Sequence, residues 1–190
     1  MKPAGPGLER SKGSISVPLV AALLIGSLLL FSALALIVEL RGFGARNNAR
    51  ILLEGDNPIA DAELEEALAL LDQKWASGGS DPANSTLKGL LYSYQALGPA
   101  QSDSAASWQA SLEALREAIQ GQPTWPYNWM YLAERKLAAG ELDEEFRHAF
   151  QQSIRLGGQE PIIQEAVLQI LVQSWPFLAG DPVIEEKFGN

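Results

Sequence analysis

His148 is the only histidine in the chain, and Glu144 and Glu145 stand four and three residues before it. On a helix that spacing puts a carboxylate and the imidazole on one face, the start of a metal site. A zinc centre needs a third protein ligand and partners that orient the first two, and nothing else in the sequence marks them. His148 therefore reads as a helix-surface histidine. The acidic clusters Glu63/Glu65/Glu66 and Asp143/Glu144/Glu145 fall where first turns of helices are expected. Interaction with the helix dipole, worth about 0.3–1 kcal/mol each, accounts for them there. A glycosidase would need two carboxylates roughly 5–10 Å apart across a cleft, and no motif nominates such a pair. Gly78-Gly79 and Gly157-Gly158 lack the Gly-Lys-Ser/Thr of a phosphate loop. There is no cysteine, which removes disulfides, thiolate metal sites and thiol nucleophiles. The sequence thus assigns no catalytic, cofactor-binding or metal-ligating residue and reads as a non-enzyme.

Recognition chemistry is better represented. Trp108 and Trp129 lie on apolar stripes and are expected in a core. Trp125 and Tyr127 sit in the turn before a helix, with Tyr131 one helical turn further on. These three are the candidate partner-binding edge, because rigid aromatics anchor interfaces. Their rings could also stack on a sugar, so a glycan ranks behind a protein as the ligand. The net charge of −9, with its acidic excess after Ile51, repels phosphate backbones and argues against nucleic acid.

The elements that must position these residues are helical. Pro126 suits the first turn of a helix in which Trp129, Leu132, Ala133 and Leu137 recur at helical spacing, and Gly140 caps its end. Leu142, Phe146, Phe150 and Ile154 continue four residues apart toward Gly157-Gly158. Upstream, Asn57-Pro58 and Asp81-Pro82 each offer an N-cap followed by proline. Leu64, Leu68, Leu71 and Trp75 form a stripe behind the first; Leu87, Leu90, Leu91 and Tyr94 form one behind the second. After a polar loop over 100–107, Trp108, Leu112, Leu115 and Ile119 define another helix. Ile162, Ile163, Val167, Ile170 and Leu171 define a further one, which Trp175-Pro176 is expected to halt. No stretch alternates with the two-residue period of a strand.

The N-terminal part is different. No ionisable side chain occurs between Lys12 and Glu39, and residues 17–38 are apolar apart from Ser27 and Ser32. About 20 such residues cross a ~30 Å hydrocarbon core. Val17, Leu24, Leu30, Phe31 and Val38 are its lipid-facing anchor residues, and Gly26, Ser27 and Ala33 are small enough to let another helix approach. The run is longer than the ~7–15 residues of a signal core, which favours an uncleaved anchor. Lys2, Arg10 and Lys12 on one side nearly balance Arg41, Arg46 and Arg50 on the other, and the short tail favours N-in, C-out.

The helix–breaker–helix units are thirty-odd residues long, a period that prompts comparison with helical repeats. Leu87, Leu90, Leu91 and Tyr94, then Ser111, Leu115, Ala118 and Pro123, follow the tetratricopeptide pattern, and Trp129, Leu132, Ala133 and Gly140 begin a second unit. Lys136 departs from it, standing where the pattern has an aromatic. The expected fold is all-α: an N-terminal transmembrane helix followed by a degenerate tetratricopeptide-like helical-hairpin solenoid. Its divisions are a tail at 1–14, an anchor at 15–40, a juxtamembrane helix or linker at 41–57, the helical domain at 58–176 and a tail at 177–190.

More narrowly, the anchor combined with Pro123-Thr124-Trp125-Pro126-Tyr127, the Gly140-Glu141-Leu142-Asp143 turn and Leu156-Gly157-Gly158-Gln159-Glu160-Pro161 resembles a bacterial family. Its members are small membrane-anchored, tetratricopeptide-like proteins associated with exopolysaccharide biosynthesis. The resemblance implies a scaffold or adaptor in the inner membrane with a periplasmic domain. It also implies a protein partner from the envelope polysaccharide machinery, and it transfers no catalytic residue. Tetratricopeptide domains on membrane anchors also suit cytochrome c maturation, secretion or pilus assembly, which is the alternative client.

Overall fold

The structure, a computed structural model, describes residues 17–55, 58–72, 81–98 and 104–188. All regular elements among them are α-helices: α1 (Val17–Glu54), α2 (Asp61–Asp72), α3 (Pro82–Leu97), α4 (Ser104–Gly121), α5 (Pro126–Ala138), α6 (Glu144–Gly157), α7 (Pro161–Leu178) and α8 (Pro182–Phe188). The chain divides into two compact units, Met1–Leu40 and Arg41–Asn190.

The first unit contains the apolar part of α1. Leu24, Leu30 and Phe31 are each more than 60% exposed, so no protein surface covers them. This helix is long and apolar enough to cross a membrane, with a mean hydropathy of 2.0. Ser27 returns its hydroxyl proton to the Leu24 carbonyl (2.9 Å), which satisfies that group without water. Ala33 is exposed, and a Cβ at Gly26 would meet open space. Val17 and Val38 lie in the helix, but their side chains fall outside the described residues.

In the second unit, neighbouring helices pack in sequence. The pairs α3/α4 and α5/α6 are the most intimate, with α4 and α7 packed on α5 and α2 packed on α3. One buried cluster joins Leu112, Leu115, Leu132, Phe146, Phe150, Ile163 and Ile170 from α4 to α7, and Ile184 of α8 belongs to it. Phe146 and Phe150 stack at 6.3 Å and are fully buried, each contributing about 2–3 kcal/mol of burial. A second cluster joins Leu64, Leu68, Leu71 and Leu91 with Ala45 and Ala49. The last turns of α1 are thus part of this unit's core, reaching it through small side chains. Residues 177–188 contribute Leu178 and Ile184 to the core and are not a loose tail.

The α5–α6 turn shows how the sequence dictates the local path. Glu141 N–H bonds to the Lys136 carbonyl (2.8 Å) and Gly140 N–H to the Leu137 carbonyl (3.0 Å), with Gly140 at φ +76°. That is a Schellman cap, which glycine accepts without strain. Asp143 then caps α6, accepting the Phe146 N–H at 2.9 Å. Asp81 does the same for α3, accepting from Ala83 at 2.9 Å.

Several expectations are corrected. Pro176 does not halt α7, which continues to Leu178. The hydrogen bond that proline forfeits belongs to the carbonyl of Val172, a residue 78% exposed, so water can replace the missing donor. Helix α2 starts at Asp61, not at Pro58; the Ala60 N–H is met by Glu63 Oε2 at 3.2 Å, and Asn57 lies outside the described residues. Helix α4 begins at Ser104, inside the expected loop. Leu142 precedes α6 and Ile162 points outward at 63% exposure, so neither is core. Trp108 is only half-buried, and Trp129, also half-buried, packs against the core cluster as expected. The Trp129 indole donates to the Pro123 carbonyl at 2.7 Å, which holds one edge of the ring at the turn. Trp75 lies outside the described residues.

Candidate functional site

A groove of about 820 Å³ opens on the second unit. Its walls come from the end of α1 (Arg50, Leu53, Glu54), from α3 (Leu87, Leu90, Tyr94, Leu97) and from α5 (Tyr127, Tyr131, Arg135), with Trp125 at its edge. Past Trp125 it adjoins a shallower depression of about 450 Å³ that includes Phe43, Arg46 and Gln122. The two share Arg50, Thr86, Leu87 and Trp125.

Helical periodicity builds the α5 wall. Tyr127, Tyr131 and Arg135 follow at intervals of four, so they form one ladder along the helix. Trp125 and Tyr127 pack with ring centroids 5.4 Å apart at 38°. The structure therefore brings the three aromatics singled out in the sequence, Trp125, Tyr127 and Tyr131, onto one surface, with Trp125 51% exposed. Beneath them, Thr86 bonds to Asn128 at 2.7 Å and ties α3 to α5. On the opposite wall, the Tyr94 hydroxyl accepts the Ile59 N–H at 2.8 Å.

The sequence reading missed half of this groove. Leu87, Leu90 and Tyr94 read as one inward stripe; Leu87 and Tyr94 do pack against the core, and all three also line the groove. Arg135 is not among the residues singled out in the sequence. The signal for it was the four-residue spacing from Tyr127 and Tyr131.

The polar groups of the groove are two arginines, Glu54 and the hydroxyls of Thr86, Ser93, Tyr94, Tyr127 and Tyr131. Arg50 bonds to Glu54 through both Nε (3.3 Å) and an Nη (3.1 Å), so the one carboxylate on the wall is already engaged. Tyr127 and Tyr131 make no hydrogen bond among the described residues. Burial, reinforced by Glu134, raises the Tyr131 pKa above the usual phenol value, so the group stays a neutral donor. Arg135 has a buried Nε without a partner, and its one close charge is Glu134, at 3.9 Å. Burial also raises the Glu134 pKa, against the opposing pull of Arg135.

The strongest electrostatics lie elsewhere. Lys136 is 1% exposed, and its ammonium meets Glu145 at 2.8 Å, Asp143 at 2.9 Å and Glu141 at 3.1 Å. Arg116 holds the same Glu145 through two bonds of 2.7 Å. The Arg116 bonds are the main cause of a Glu145 pKa lowered to about 2; burial opposes them and Lys136 adds to them. Burial disfavours the Lys136 charge, but the three carboxylates outweigh it and its pKa is raised. This cluster pins the α5–α6 turn, with the ammonium filling the space between the acids. His148 is exposed, its ring edge-on to Trp129 at 5.3 Å. Among the described residues no three His, Asp or Glu side chains are placed to hold a metal.

Comparison with family models, curated proteins and solved structures finds no match to this chain.

Proposed function

We propose that the chain is a membrane-anchored, non-enzymatic interaction module whose helical domain receives a segment of a partner protein in the groove beside Trp125, Tyr127 and Tyr131. The observation that carries this reading is the groove itself: three helices supply its walls, and four leucines and four aromatic rings lie along it. Rigid aromatics at the edge of a desolvated trough are what anchor residues of interfaces look like. The apolar α1 tethers this surface to a bilayer, where confinement raises the effective concentration of a membrane-bound partner. In this reading the domain is a tetratricopeptide-like array, and stacked helix pairs of that kind offer a concave face to their ligands. The sequence resemblance supports a client among proteins of exopolysaccharide assembly or export, and with it a domain on the periplasmic side of a bacterial inner membrane.

The test is photo-crosslinking in cells with the full chain. A benzophenone amino acid at Trp125 or Leu97 is expected to give a discrete adduct with an envelope protein. The same probe at exposed Gln169 on α7 serves as the control. Adducts absent from both groove positions, or equal from all three, would sink the reading.

A further inference from the structure

The groove's chemistry identifies the kind of segment that fits it. We infer, building on the docking role proposed above, that the occupant is a partner-protein segment carrying an Asp or Glu between apolar side chains, with its carboxylate held by Arg135.

The argument starts from an imbalance. The guanidinium of Arg135 has five N–H donors, lies on a side chain only 22% exposed, and makes no hydrogen bond among the described residues. Its Nε is buried and unpartnered. Buried polar groups in folded proteins are nearly always satisfied, and Arg135 lines the groove, so its unmet guanidinium donors are open to an acceptor that arrives with the ligand. A carboxylate matches the guanidinium fork and can take two bonds from it. Glu134 lies beside it at 3.9 Å but beyond hydrogen-bond reach.

The surroundings agree. The hydroxyls of Tyr127 and Tyr131 are unengaged among the described residues, and that of Tyr94 accepts from Ile59, which leaves its own proton to donate. Glu54 is the one acidic side chain on the wall, and Arg50 holds it. A groove rich in donors suits carboxylates and peptide carbonyls. The apolar share of the wall, four leucines beside the aromatic rings, favours a protein segment over a glycan. The leucines at 53, 87, 90 and 97 supply the apolar bed that side chains flanking the acid would cover. In a chain of net charge −9, a wall with two arginines, Arg50 and Arg135, against one carboxylate, Glu54, has an electrostatic preference opposite to that of the whole molecule.

The experiment uses the full chain in detergent micelles and two pools of fluorescent dodecapeptides. One has Asp or Glu fixed at the centre among Leu, Tyr and Ala; the other has Asn or Gln there. Anisotropy is expected to show the acidic pool binding roughly tenfold or more tightly than the amide pool. Arg135→Gln should erase that difference, and Arg135→Lys should restore only part of it because the fork is lost. Trp125→Ala should weaken both pools alike. If the pools bind equally, or Arg135→Gln keeps the acidic preference, the carboxylate assignment fails while the groove stands. If neither pool binds and polygalacturonate binds in an Arg135-dependent way, the occupant is an acidic glycan and the inference is overturned. If nothing binds and the benzophenone adducts are also absent, the docking role falls with it.

Discussion

Replacing Lys136 by Met should destabilise the helical domain more than any single change at its surface. The substitution keeps the volume of the side chain and removes only the ammonium, so no cavity contributes. What remains is a ring of carboxylates, Glu141, Asp143 and Glu145, whose side chains are 36%, 54% and 36% exposed. Breaking a fully buried pair from one side costs about 3–5 kcal/mol. Here water reaches the acids, and Arg116 still holds Glu145, so the expected loss is about 2–3 kcal/mol at pH 7.

The pH dependence is a stricter check. In the native chain the pKa of Glu145 is lowered from 4.5 to about 2. Its contribution is therefore complete above pH 4.5 and fades as the pH falls toward 2. Glu145 is more than a third exposed, which limits that contribution to roughly 1–2 kcal/mol after solvent screening. In the Met variant the carboxylates have lost a cation and repel one another, so protonation relieves them. The gap between the two proteins should narrow on acidification. Urea denaturation of the full chain in detergent, followed by tryptophan fluorescence at pH 7 and near pH 4, measures both. A gap under about 0.5 kcal/mol at pH 7, within the range of an ordinary surface substitution, or one that widens on acidification, would refute the account of the cluster.

Other outcomes follow from local geometry. Gly140→Ala should cost about 1–2 kcal/mol, read as a lower melting temperature, because φ is +76° although a Cβ there would meet nothing within 4 Å. Gly89→Ala should cost about 1–3 kcal/mol by overpacking, since the new Cβ would lie 2.7 Å from Leu115 Cγ where α3 meets α4. A fragment beginning at residue 41 should resist urea better than one beginning at 51, because Ala45 and Ala49 are buried at 4% and 0% exposure in the cluster with Leu64 and Leu91. Equal midpoints for the two fragments would mean that the end of α1 is dispensable to that core.

The helices were legible because their ends are written in residues with strong local preferences. Asp81-Pro82, Gly140 and Glu160-Pro161 act through backbone geometry that holds whatever the tertiary context, and α3, α5 and α7 begin or end accordingly. Pro176 misled because the cost of a proline in a helix depends on whether the orphaned carbonyl can reach water, which sequence does not record. Asn57-Pro58 misled in the other direction, offering a start three residues earlier than the helix uses. Of the candidate site, the aromatics were visible by type and by their place in a turn. The apolar residues facing them were not, because a stripe along α3 can face the core, a groove, or both. Leu91 is fully buried while Leu87 and Tyr94 are half-buried, so that one stripe faces both.

Lys136 and Arg135 show why charge was the hardest feature to read. They are adjacent in the last turn of α5, and each counts there as a cation favourably placed at a helix C-terminus. One helical step of about 100° sends their side chains to different environments. Lys136 turns toward α6, where the sequence beyond Gly140 supplies acids at every second position, Glu141, Asp143 and Glu145, and its charge is used up within the fold. Arg135 turns toward the groove, where Glu54 is already held by Arg50, and its fork stays open. Local preference cannot separate them, because both satisfy the dipole equally. Only the inventory of neighbouring acceptors does so, and it makes one residue a pin of the hairpin and leaves the other with an Nε that no acceptor meets.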